Sequence, residues 1–131
     1  MINIDGKKVL FNDIEIIVGN DNSTFDNIYN ILSDNIVALH KPDKKGNGDL
    51  TISDKFYNLK YTDVTFNFEQ YILTSVDITP LWAYIEEEND DKLKLIEDLI
   101  SILFKIDSTS IKMVSNVSAS KCDDIYKITI H

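Results

Sequence analysis

The chain has 131 residues, 44% of them hydrophobic, and 22 acidic against 13 basic residues give it a formal net charge of −9. One domain spanning 1–131 is enough chain to bury a core, and its field repels phosphate backbones and anionic lipid, which argues against nucleic acid or a membrane surface as partner. Every basic residue is a lysine, so the planar fork that usually grips phosphate or carboxylate groups is missing.

In chain order, Asp5-Gly6 lies between Ile2/Ile4 and Val9/Phe11, and Asp-Gly is a favoured centre for a two-residue hairpin turn. Asn12-Asp13 offers a second break, and Ile14, Ile16 and Val18 alternate before Gly19. Three short strands are expected before residue 20. Ser23 with Asp26 resembles a capping box, and Phe25, Ile28, Tyr29 and Leu32 follow at helical spacing. The pattern predicts a helix over 24–33 with this stripe, Phe25 and Tyr29 included, against a sheet.

Ile36–Leu39 reads as a short strand, and KPDKKGNGD after it as an exposed loop. Asp43, Asn47, Gly48 and Asp54 fall on positions 1, 5, 6 and 12 of a calcium-binding EF loop. Lys45 stands at position 3, where a cation repels the metal, so a turn between strands is the better reading. Leu50–Ile52 and Phe56–Lys60 lead, as irregular or strand segments, into the central feature of the chain.

That feature is Tyr61–Pro80. Val64, Phe66 and Phe68 alternate with Thr65 and Asn67, and alternation resumes at Val76 and Ile78 after a turn near Glu69-Gln70. A central hairpin is expected, its second strand ending near Thr79 because Pro80 cannot donate to a ladder. Beyond it, Trp82 and Tyr84 precede Glu86, Glu87, Glu88, Asp90 and Asp91. Trp and Tyr are enriched at binding hot spots, and carboxylates of one sign steer a basic partner, so these seven residues are the expected partner-binding site. The same carboxylates also suit the first turn of a helix, and Leu93, Ile96, Leu99, Ile100 and Leu103 predict one over 90–105. Closing strands are expected around Ile111/Met113 and at Tyr126, Ile128 and Ile130, joined by the polar stretch SNVSASKCDD. The fold class is therefore α+β, an antiparallel sheet with two helices packed on one face as a two-layer sandwich.

The residue inventory argues against an enzyme. Only His40 and His131 supply imidazole, and Cys122, the single cysteine, sits beside Asp123 and Asp124, which raise rather than lower a thiol pKa. No nucleophile elbow, glycine-rich phosphate loop or zinc ligand set is present, so no catalytic residue, metal or cofactor is expected. One cysteine fits a reducing compartment. The N-terminus lacks a signal-peptide pattern, and the longest apolar run, Leu81–Ile85, is too short for a membrane span. These features predict a cytoplasmic protein.

The order strand–Gly19–capped helix, VTFNFEQYILTSVDITP, an acidic segment and the LIEDLISILF helix resembles small bacterial immunity proteins of contact-dependent or polymorphic toxin systems. The resemblance implies a protein that binds and blocks one cognate toxin, and the acidic balance suits a basic nuclease. A small-ligand binder or hydrolase, and an adaptor that self-associates through a sheet edge, are the alternatives; the sequence does not fix an oligomeric state.

Overall fold

The computed structural model describes residues 2–5, 7–56, 59–80, 117–122 and 125–131. Their elements run β1 (Ile2–Asp5), β2 (Lys8–Phe11), β3 (Ile14–Ile17), α1 (Phe25–Leu32), a 3-10 turn (Ser33–Asn35), β4 (Ile36–His40), β5 (Gly48–Phe56), β6 (Leu59–Glu69), β7 (Ile72–Pro80), β8 (Val117–Cys122) and β9 (Ile125–Ile130). The strands form one sheet in the order β3-β2-β1-β5-β6-β7-β9-β8, with β4 also on β5. Pairing is antiparallel except where β1 meets β5 in parallel at Ile2 and Phe56. The fold is α+β, with one α-helix among the described residues.

Alternation in the sequence becomes two chemically different faces. Thr62, Val64, Phe66 and Phe68 of β6 are buried, beside Leu50 and Ile52 of β5 and Ile128 and Ile130 of β9. On β7 the buried set is Leu73, Val76 and Ile78, and the three-residue step after Leu73 has a local cause. Asn67 pairs with Ser75 but Phe68 pairs with Leu73, which leaves Thr74 as an extra residue in a bulge. Such an insertion shifts the phase of side chains by one, so Leu73 and Val76 both reach the core.

The first helix is apolar on the face that meets this core. Phe25, Ile28 and Leu32 are buried, and the Phe25 ring stands edge-on to Phe68 at 5.2 Å between centroids. Two expectations need correction here. The N-cap is Thr24, whose Oγ1 accepts from Asn27 N–H at 3.3 Å. Ser23 instead turns its hydroxyl inward and donates to the Ile17 carbonyl. Tyr29 is 37% exposed, because the short helix rests on the sheet through Phe25 and Ile28 and leaves Tyr29 at its margin.

Other differences lie in the sheet. The hairpin turn is at Gln70-Tyr71, one residue later than expected, with both residues at positive φ (52° and 66°). The expected segment Leu50–Ile52 lies within the longer strand β5, which pairs with β6 along almost its whole length, and the expected segment 56–60 falls across the end of β5 and the start of β6. The stretch read as a polar connector contains β8, which pairs with β9 from Val117↔Ile130 to Cys122↔Ile125. Backbone pairing there overrides a weak side-chain pattern. The expected strand around Ile111 and Met113 and the expected helix over 90–105 lie outside the described residues.

The supposed calcium loop has another use for its aspartate. Asp43 Oδ1 accepts from the backbone N–H of Lys45 (2.8 Å) and Asn47 (3.0 Å), closing a tight turn between β4 and β5. The turn is fastened to the hairpin tip, where Tyr71 N–H donates to the Gly46 carbonyl at 2.9 Å. Phe25 N–H in turn donates to the Tyr71 carbonyl, and Leu73 N–H to that of Ser23, both at 2.9 Å. The 43–47 turn, the β6–β7 tip and the start of α1 thus meet at one node.

Candidate functional site

The expected binding residues Trp82, Tyr84, Glu86, Glu87, Glu88, Asp90 and Asp91 lie outside the described residues. What the described residues do present is the polar side of the sheet. Residues that alternate with the core ones, Thr51, Asp63, Thr65, Asn67, Ser75, Asp77, Lys127 and Thr129, are all partly exposed. Their register joins them across four strands, with Asp49↔Asn67, Asn67↔Ser75 and Asp77↔Thr129 directly opposed.

Asp77 is the centre of this face. One carboxylate oxygen accepts from Thr129 Oγ1 at 2.6 Å, the other from Asn67 Nδ2 at 3.0 Å, and Lys127 Nζ lies 3.8 Å from the latter. Asn67 Nδ2 also donates to Ser75 Oγ at 3.1 Å, and the hydroxyls of Thr51 and Thr65 share a hydrogen bond at 2.9 Å. On β4, His40 Nδ1 stands 2.9 Å from Asp49 Oδ1. Among the described residues the arrangement holds these polar groups in place as a partly exposed shelf. Charge-assisted hydrogen bonds of this kind each contribute more than neutral ones. Asp77→Ala is therefore expected to destabilise the fold by about 1–3 kcal/mol by removing the acceptor of the Thr129 hydroxyl and one of the two acceptors of the Asn67 amide. Urea denaturation checks this, and Asp77→Asn, which still accepts one of the two bonds, should lose less.

Two shallow clefts open at the hairpin end of the sheet. One, of about 630 Å³, is lined by His40, Asp49, Asn67 and Asp77 among others. The second, of about 720 Å³, is lined by residues including Gly19, Lys45, Gln70 and Leu73, and both share Asn47, Glu69 and Thr74. Neither is an enclosed apolar pocket with converging polar groups, the usual form of a small-molecule site. Among the described residues no three of His, Cys, Asp and Glu converge as a metal site, and no helix is long and apolar enough to cross a membrane.

The polar shelf was partly visible in the alternation, which already puts Thr65 and Asn67 on the outer face. The sequence could not bring Asn67 to Asp77, or Asp77 to Thr129, because those meetings depend on the bulge at Thr74 and on β9 pairing with β7. Comparison with family models, with curated proteins and with solved structures finds no match for the chain.

Proposed function

We propose that the chain is a protein-binding module of the immunity type, which acts in the cytoplasm by occupying the active-site face of a cognate toxin, a basic nuclease. The observation that supports this reading is the partly exposed polar side of the sheet, where, among the described residues, Asp49, Asp63 and Asp77 are set among hydroxyl and amide groups with Lys127 beside Asp77. A preformed acidic shelf on a chain of net charge −9 attracts a basic partner over distance and then matches it with hydrogen bonds already in place. A hydrolase or small-ligand binder needs a concave, largely apolar pocket, a form that neither of the two clefts among the described residues has.

In this reading the segment Trp82–Asp91 adds aromatic anchors and five further carboxylates to the interface. The expected helix over 90–105 then serves as the second cover of the core. α1 has eight residues and is about 12 Å long, too short to shield the whole width of the sheet from β2 to β9, where strands lie about 4.8 Å apart.

The test is the association rate with the protein product of the adjoining reading frame, followed by stopped-flow fluorescence across a salt series. Reversing Glu86, Glu87 and Glu88 to lysine is expected to slow association roughly tenfold or more at low salt, an effect that shrinks as screening increases. A rate unchanged by that triple reversal but slowed by Asp49→Lys and Asp63→Lys would move the interface wholly onto the sheet. Rates insensitive to both sets would remove the electrostatic basis of the proposal.

A further inference from the structure

The tip of the central hairpin breaks a local rule. Gln70 and Tyr71 both occupy the left-handed region, a turn in which Asn-Gly is the strongly preferred pair because glycine carries no side chain to strain. A bulky aromatic at positive φ persists only where its surroundings hold it there, and such positions cluster at functional sites.

The bonds at this tip do not require a tyrosine. Its backbone N–H reaches the Gly46 carbonyl and its carbonyl accepts from Phe25 N–H, and glycine would make both. The side chain adds only a long hydrogen bond, Oη to the Asp43 carbonyl at 3.3 Å. Yet the ring is fixed: a Cβ on Gly46 would come within 2.6 Å of Tyr71 Cδ2, so the ring lies directly on that glycine. Tyr71 is nonetheless 51% exposed. A second exposed tyrosine belongs to the same node, since Tyr29 packs on Phe25 at 5.8 Å between centroids, and Phe25 is bonded to Tyr71 through its backbone.

We propose that the hairpin tip, with Tyr71 as its anchor and Tyr29 beside the same node, is a contact element for a cationic protein surface. Immobilised tyrosines lose little entropy on binding and offer ring faces to guanidinium and ammonium groups. Near the tip Glu69, Asp43 and Asp26 are balanced by Lys41, Lys44 and Lys45, so the basic character of the partner follows from the net charge of −9 on the chain as a whole. The inference rests on the proposed binding function and names one of its contact points.

The experiment replaces the tip by the unstrained pair, Gln70→Asn with Tyr71→Gly, and measures both the thermal midpoint and the affinity for the purified product of the adjoining reading frame. The expected result is a midpoint equal to or above that of the unaltered chain together with an affinity loss of roughly tenfold or more. Tyr71→Phe, which keeps the ring and removes only the long hydrogen bond, should bind within about threefold of the unaltered chain. Unchanged affinity in the Asn-Gly variant, or a lowered midpoint, would assign Tyr71 to structure alone and overturn the inference while leaving the binding function standing. No binding by the unaltered chain would remove the binding function and this contact with it.

Discussion

Phe66→Ala is expected to destabilise the fold by about 3–5 kcal/mol, read as a shift of the denaturant midpoint at constant slope. The side chain is fully buried at the middle of β6, directly opposite Leu50 on β5 and Val76 on β7, both also fully buried. Its neighbours lie on strands held by hydrogen bonds on both sides, so they cannot collapse into the space, and most of the cavity penalty persists. Against a typical total stability of about 5–15 kcal/mol, the variant would be marginal. A loss below about 1 kcal/mol would show that the hairpin is not the centre of the core.

Gly46→Ala should be nearly as damaging for a different reason. Gly46 has φ +81°, and an added Cβ would stand 2.5 Å from Tyr71 N and 2.8 Å from Gln70 C. Both are backbone atoms of the strained turn, so neither can rotate aside, and the hydrogen bond from Tyr71 N–H to the Gly46 carbonyl breaks if they separate. Left-handed strain and steric overlap together are expected to cost about 2–4 kcal/mol. Gly19 supplies the control: its φ is +78° but a Cβ there meets nothing within 4 Å. Gly19→Ala should therefore show the backbone term alone, about 1–2 kcal/mol. Equal losses at the two glycines would mean that the 43–47 turn is not seated on the hairpin tip.

How much of this was legible in the sequence follows from what each feature depends on. Val64, Phe66 and Phe68 announce themselves because burial of one face imposes a period of two, and the stripe Phe25, Ile28, Leu32 because a helix imposes its own. Tyr29 fits that stripe equally well and still lies at the margin, since periodicity gives a direction but not the width of the surface that meets it. Ser23 and Thr24 are both good caps, and only the tertiary pull of the Ile17 carbonyl on Ser23 decides between them. Of the polar face only Thr65 and Asn67 were legible in the alternation, and the network was not, because Asp77 meets Thr129 from 52 positions away. The clasp between Asp43, Gly46 and Tyr71 had a trace in the sequence, in the glycines of KPDKKGNGD, but the calcium spacing and the tight turn ask for the same residue types. Trp82, Tyr84 and the carboxylates from Glu86 to Asp91 stand as a reading of composition, since they lie outside the described residues.

The most direct test of the proposed function is to titrate the purified product of the adjoining reading frame with this chain while assaying that product for nuclease activity on plasmid DNA. Stoichiometric neutralisation is predicted, with activity falling linearly to a baseline at one equivalent and returning when the complex is dissociated. Full activity in the presence of a large molar excess of the folded chain would contradict it.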